Sequence, residues 1–344
     1  MLPLAGLKVV EFEGIGPGPL AGMILAQHGA RVTVVRRPQA NGLKAQLGGD
    51  GFSMMDGCKQ VVALDLKTPG GVDRALDLLA DADALIEGNR PGVMEKLGLG
   101  PQTSLARNAR LVYGRMTGWG QDGPLSHAAG HDLNYVALSG VLSLAGREGQ
   151  APRVPPTMLG DASGALGLAF GIVAGVLQAR QTGRGAVVDA AIVDITTMLS
   201  GLALGLHAAG LLGGSAPSMF HDSPFYDTYV CADGSYITIG ALEPQFYALL
   251  LRQLGLADVD PTCQYDCAQW PALKARLRQL FAGESRAHWC RLLEGSDACF
   301  APVLTLSEAA EHPHLRSRGT LQMRQGVLVA APAPRFTDAA PCVV

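Results

Sequence analysis

The sequence predicts an α/β protein: a large domain on an open, doubly wound parallel sheet, followed by a smaller α+β domain. Three observations lead there. Short apolar runs alternate with helical patterns through the first 190 residues. After Tyr226 that rhythm gives way to short strands joined by turn residues. Hydrophobic residues make up 48% and charged residues 17% of 344 positions, enough apolar side chain for two or three well-buried domains.

Taken in order, residues 7–12 form an apolar run that predicts a buried strand, 14–19 a tight glycine-proline loop, 20–28 a helix stopped at Gly29, and 31–35 a second strand. Such strand-loop-helix-strand units build parallel sheets. The pattern repeats with a strand at 61–66, a helix at 71–79, a strand at 84–87, a helix at 92–97 and a strand at 110–116. Helical patterns then cover 133–144, 162–180 and the apolar stretch 192–212, with a glycine turn at 182–185 leading into a strand at 186–189. Short strands at 228–231 and 236–240 flank Ala232-Asp233-Gly234, and helices continue to Cys290. The expected organisation is a large domain over 1–190 completed by about 330–344, linker helices at 191–227, a small domain at 228–310 and a return linker at 311–329.

A formal net charge of −3 argues against a general affinity for nucleic acid and leaves small molecules as the expected partners. The seven cysteines show no CxxC and no metal-type spacing, so reduced thiols and no metal are expected. The amino terminus lacks the basic flank and apolar core of a signal peptide, and the expectation is a cytoplasmic protein. Residues 195–218 carry no Asp, Glu, Lys or Arg, but threonines, serines, His207 and glycines dilute them. A helix buried between domains or subunits is expected there rather than a membrane span.

The loop Gly14-Ile15-Gly16-Pro17-Gly18-Pro19 fits a dinucleotide-binding fingerprint poorly, because Pro19 stands where the third glycine belongs. Arg36 and Arg37 stand where an acid would follow the second strand, which keeps an NADP-binding reading open beside a purely structural turn. Basic residues recur at strand ends: Arg36, Arg37, Lys59, Lys67, Arg90 and Lys96. Ligands of open parallel sheets bind beyond the carboxyl ends of strands, so these cations could gather around a polyphosphate. Each alone reads equally as a solvated surface charge.

Gly130-His131-Asp132-Leu133-Asn134-Tyr135 and Leu159-Gly160-Asp161-Ala162-Ser163-Gly164 each sit where a loop hands over to a helix. A histidine and a carboxylate so placed could serve as paired acid and base. Helix capping explains Asp132 and Asp161 as well, and local hydrogen bonds explain His131. Glu243 precedes the helix-starting Pro244 and reads as a first-turn acid.

These segments resemble the alpha-methylacyl-CoA racemases within the family III CoA-transferase superfamily. The resemblance runs nearly the whole length and includes Gly16-Pro17-Gly18-Pro19, Leu64-Asp65-Leu66-Lys67, Arg90-Pro91-Gly92-Val93-Met94-Glu95, Thr117-Gly118-Trp119-Gly120-Gln121, the Gly130 to Tyr135 stretch, Glu243-Pro244-Gln245-Phe246-Tyr247, and Asp297-Ala298-Cys299 with Pro302-Val303-Leu304.

The resemblance implies a Rossmann-like large domain and two subunits interlocked as a homodimer. It implies His131 and Asp161 as the two acid/base residues, with Asp132 and Glu243 orienting or tuning them across the dimer interface. CoA contacts would fall on Arg37, on Leu64, Asp65, Leu66 and Lys67, on Gly88, Asn89 and Arg90, on Lys96, and on Gly130, His131, Asp132, Leu133, Asn134 and Tyr135. The substrate implied is a 2-methylacyl-CoA thioester racemised through an enolate, and CoA is its handle, so no separate cofactor is expected. Two other readings stand beside it: a family III CoA-transferase with Asp161 as nucleophile, and a CoA-binding protein without catalysis. One departure is clear. Racemases of this kind carry Asp-Gly-Gly-Ala-Pro before the Tyr-Asp-Thr-Tyr strand, whereas this chain has His221-Asp222-Ser223-Pro224-Phe225, and losing those glycines should stiffen the loop.

Overall fold

A computed structural model describes residues 2–38, 54–147, 149–214, 216–324 and 326–337. The chain divides into two compact units, Met1–Gly201 with Pro332–Val344, and Leu202–Ala331.

The first unit is built on six parallel strands, β1 Lys8–Phe12, β2 Arg31–Arg36, β3 Gln60–Ala63, β4 Ala84–Glu87, β5 Val112–Thr117 and β6 Val187–Ala191, in the order β3-β2-β1-β4-β5-β6. The strand order reverses between β1 and β4, the point where ligands of such sheets bind. Its helices are α1 Pro17–Gln27, α2 Pro69–Ala80, α3 Val93–Lys96, α4 Pro101–Arg107, α5 Asp132–Leu138, α6 Asp161–Thr182 and α7 Ile192–Leu199, and α8 Gly201–Ala208 begins on its last residue. Proline stands in the first turn of α1, α2 and α4, where its fixed φ suits a helix start and its missing N–H breaks no bond. Both sheet faces are covered. On one, Ala21 and Leu25 of α1 meet Leu168, Ile172 and Val176 of α6; on the other, Leu79 of α2 packs with Val10, Leu85 and Tyr113.

Several boundaries differ from expectation, each for a local reason. The strand expected at 61–66 stops at Ala63, because Asp65 Oδ1 accepts the Lys67 N–H and the Asp65 carbonyl accepts the Thr68 N–H, closing a turn that Thr68 converts into the cap of α2. The helix expected at 133–144 ends at Leu138, and a 3₁₀ turn Val141–Ala145 follows Gly140. The apolar stretch at 192–212 is not one helix: it breaks at Ser200 into α7 and α8, and Met198, Leu199, Leu202 and Leu204 are exposed in the single chain. Among the described residues, the helix long and apolar enough to cross a membrane by length and composition is instead α6, 50% buried over its most apolar window.

The second unit holds an antiparallel sheet of β7 Tyr226–Val230, β8 Tyr236–Gly240 and β9 Phe300–Val303, with helices α9 Pro244–Gln253, α10 Trp270–Ala282 and α11 Arg286–Leu293. Phe225, Tyr229, Ile237, Tyr247, Trp270, Phe281 and Trp289 form its core. Helices α12 Leu306–Glu311 and α13 Pro313–Arg318 and the hairpin β10 Leu321–Arg324, β11 Val327–Ala330 complete it. The departing loop is pinned: Asp222 Oδ2 accepts the Ser218 N–H at 2.7 Å, and Lys274 donates to the His221 and Asp222 carbonyls while pairing with Asp227 at 2.7 Å.

Candidate active site

A cavity of about 520 Å³ opens beyond the carboxyl ends of β1, β4 and β5, at the reversal of strand order. Its walls come from the loop Glu13–Pro19 after β1, Gly88–Pro91 after β4, Thr117–Trp119 at the end of β5, and His131, Tyr135 and Asp161.

The loop after β1 turns sharply because Gly16 holds a left-handed φ of 73°, and it becomes the amino-terminal cap of α1. Pro17 and Pro19 carry no N–H, so Gly18 is the backbone donor of that first turn, which contains no acid. The partial positive charge of this helix end therefore faces the cavity without a neutralising side chain of its own turn. A β-carbon on Gly16 would stand 3.3 Å from Asp161 Oδ2, which places that carboxylate beside the turn.

His131 caps the amino end of α5 in extended backbone and is exposed. Asp132, the next residue, is buried and does not line the cavity. Its Oδ1 accepts the N–H groups of Gly160 at 2.9 Å and Asp161 at 2.8 Å, and its Oδ2 accepts that of Thr157 at 3.1 Å. Asp132 thus binds donors at the start of α6 from another helix, and Gly160 must lack a side chain because a β-carbon there would stand 2.5 Å from Oδ1. Thr157 sits at φ 64°, a left-handed conformation costly for a β-branched residue.

Asp161 is not the cap of α6, a role the sequence left open; Gly160 is, and Asp161 occupies the first helical position. Burial, then the nearby Asp132 carboxylate, push its carboxyl from 3.8 up to about 6, while the His131 imidazole opposes the rise. A group poised near neutrality beside a histidine in one cavity can both take and give a proton. Tyr135 is raised by burial and by Asp161, with Arg90 opposing.

Of the residues expected at CoA, Arg37, Gly88, Asn89, Arg90, Gly130, His131 and Tyr135 line this cavity. Arg37 and Arg90 are exposed cations at its rim, and Asn89 is held by a 2.7 Å bond from its N–H to Glu87 Oε2. Glu87 in turn pairs with Arg115 at 3.0 Å, and Arg115 reaches Glu95 at 2.8 Å. Leu64, Asp65, Leu66, Lys67, Lys96, Asp132, Leu133 and Asn134 are not among its lining residues. Asn134 instead accepts the His131 N–H on Oδ1 at 3.0 Å. Glu243 lies in the second unit, exposed at the cap of α9.

Two of the cations singled out at strand ends are engaged elsewhere. Lys59 is fully buried against Glu11 at 2.7 Å, and Arg36 pairs with Asp56 at 2.6 Å. Sequence reading missed Trp119 and Ile192 as cavity residues; only the Thr117–Gln121 motif pointed at Trp119. Among the described residues no group of three His, Cys, Asp or Glu side chains is placed to hold a metal.

A family model described as CoA-transferase family III matches residues 4–341. The chain is 42% identical over 334 residues to alpha-methylacyl-CoA racemase of Mus musculus, covering 96% of this chain and 85% of that protein. It is 30% identical over 346 residues to acetyl-CoA:oxalate CoA-transferase of Acetobacter aceti, covering 95% and 87%. The crystal structure of a CAIB/BAIF family protein from Brucella suis superimposes with a TM-score of 0.84 at 26% identity, covering 98% of this chain and 93% of that one.

Proposed function

The chain belongs to CoA-transferase family III, and from that premise we propose that it is an isomerase of the alpha-methylacyl-CoA racemase type, inverting the α-carbon of 2-methylacyl-CoA thioesters by 1,1-proton transfer. One observation carries the reading: His131 and an Asp161 carboxyl pushed up to about 6 line one cavity beside the amino end of α1, whose first turn holds no acid.

The chemistry follows from that arrangement. A hydrogen beside a thioester is weakly acidic, and its removal sends an electron pair onto the thioester oxygen. His131 takes the proton from one face, Asp161 returns a proton to the other, and the pair exchange roles for the opposite enantiomer. Positioned acid/base groups contribute about 10²–10⁴-fold, and an oxyanion donor about 3–4 kcal/mol. Gly18 at the start of α1 is the donor we assign to the enolate oxygen. Asp132 positions Asp161 and raises its pKa. Arg37, Asn89 and Arg90 would hold the CoA part, and no separate cofactor enters. Glu243 remains a further candidate on resemblance, to be tested by Glu243→Gln. We also propose a homodimer: Leu166, Phe170 and Leu177 stand exposed along α6 at 55%, 73% and 59%, apolar surface that a second copy would cover, and light scattering tests it.

The second reading is CoA transfer with Asp161 attacking a thioester to form a mixed anhydride, favoured by the similarity to an oxalate CoA-transferase. His131 in the same cavity counts against it, since such a nucleophile needs no second base. Correctly folded His131→Ala and Asp161→Ala variants should each lose racemisation, and normal racemisation by both would overturn the assignment. Turnover that requires a free acyl acceptor would favour transfer.

A further inference from the structure

Resting on the racemase reading, we propose that Asn134 and Tyr135 are positioning residues that clamp the Gly130–His131 peptide and thereby aim the His131 imidazole at the α-carbon. Both polar atoms of that peptide are gripped. The Tyr135 hydroxyl donates to the Gly130 carbonyl, and the His131 N–H donates to Asn134 Oδ1 at 3.0 Å. The His131 carbonyl accepts the N–H groups of Asn134 at 2.8 Å and Tyr135 at 3.3 Å. The base is thus tied on either side to the first turn of the helix it caps. Its side chain is exposed, so its aim is set from the backbone end.

The Tyr135 half of the clamp is tightly packed. A β-carbon on Gly118 would overlap the Tyr135 ring, and one on Gly130 would come within 2.7 Å of it, so backbone closes on the ring at two places. Trp119 meets the ring edge-on at 4.7 Å and 83°, and Tyr135 is 8% exposed. Burial and the nearby Asp161 carboxylate keep the hydroxyl protonated, hence a donor, at neutral pH.

In the step that depends on this aim, the α-proton passes to an imidazole nitrogen, the C–H pair moves to the thioester oxygen as an enolate, and the Asp161 carboxyl supplies a proton to the opposite face. Loosening the clamp should therefore harm the His131 face alone.

The test measures initial α-deuterium uptake in heavy water from pure R and pure S 2-methylacyl-CoA, using the full chain, Tyr135→Phe, Asn134→Ala and Asn134→Asp. The His131 face is the enantiomer that His131→Ala silences most. Tyr135→Phe and Asn134→Ala should slow uptake from that enantiomer roughly ten- to hundredfold, as for a base misplaced by an ångström, and Asn134→Ala, outside the cavity wall, should leave the other within about twofold. Asn134→Asp keeps the acceptor and should restore the rate. Equal loss from both enantiomers, or loss from neither, overturns the clamp. Wild-type protein that takes up deuterium from neither enantiomer overturns the racemase reading and this inference with it.

Discussion

Replacing Asp161 by asparagine should destroy activity and yet stabilise the protein, with a dependence on pH that identifies the cause. Burial lifts the carboxyl from 3.8 to about 6, so the folded state holds that proton more tightly than the unfolded chain. Such a group gives stability that is full below the unfolded pKa and lost as pH rises through the folded one. Well below pH 3.8 the carboxyl is neutral in both states, and well above about pH 6 the folded protein bears the whole burden of a desolvated charge. At 1.36 kcal/mol per pH unit the difference is about 3 kcal/mol. Partial exposure and solvent screening reduce it to about 1–2 kcal/mol. Asp161→Asn removes the burden, so at pH 8 the melting transition should rise by about 2–6 °C, and by much less at pH 4. Thermal melts of both proteins across that range are the assay. A gain independent of pH, or an asparagine variant less stable at pH 8, would refute the reasoning.

The same group should appear in kinetics: deuterium uptake from the enantiomer that uses Asp161 as base should fall tenfold per pH unit below about pH 6, and a rate flat through that range would contradict the assignment. Asp132→Asn removes the carboxylate that accepts the Thr157, Gly160 and Asp161 N–H groups; stability should drop by about 1–3 kcal/mol by urea titration, and kcat by roughly 10–100-fold. Arg115→Met strips the cation from Glu87, which is 1% exposed, and should cost about 3–5 kcal/mol at neutral pH. Because burial already raises the Glu87 pKa, that loss should shrink as pH falls and Glu87 takes a proton; a loss that grows on acidification would contradict it.

The parallel strands of the first unit were legible because central strands buried on both faces read as continuous apolar runs, as at Ala84-Leu85-Ile86. Pro244 marked the start of α9 for a mechanical reason, since its fixed φ suits a first turn, whereas another proline hid a strand. Phe300-Ala301-Pro302-Val303 is β9, at the sheet edge, where Pro302 stands opposite Ile237 and is tolerated. Helix α4 was missed beneath its polar sequence Pro101-Gln102-Thr103-Ser104. At the site, His131 and Asp161 could be nominated from their helix-start contexts. The choice between capping and chemistry was not legible, because it turns on a bond from Asp132 to backbone twenty-nine positions away. Local pattern carries no information about such a contact. The exposed apolar side chains of α7 and α8 show the same limit, since hydropathy records what a segment avoids but not what covers it.

The most direct test of opposed proton transfer is to incubate the protein with one enantiomer of a 2-methylacyl-CoA in heavy water, with no acyl acceptor, and follow deuterium content and chirality together. Racemisation through His131 and Asp161 should bring in one deuterium at the α-carbon for each inversion and carry the sample to an equal mixture of enantiomers. A thioester that keeps both its hydrogen and its configuration, while acyl groups move once an acceptor is added, would contradict the account.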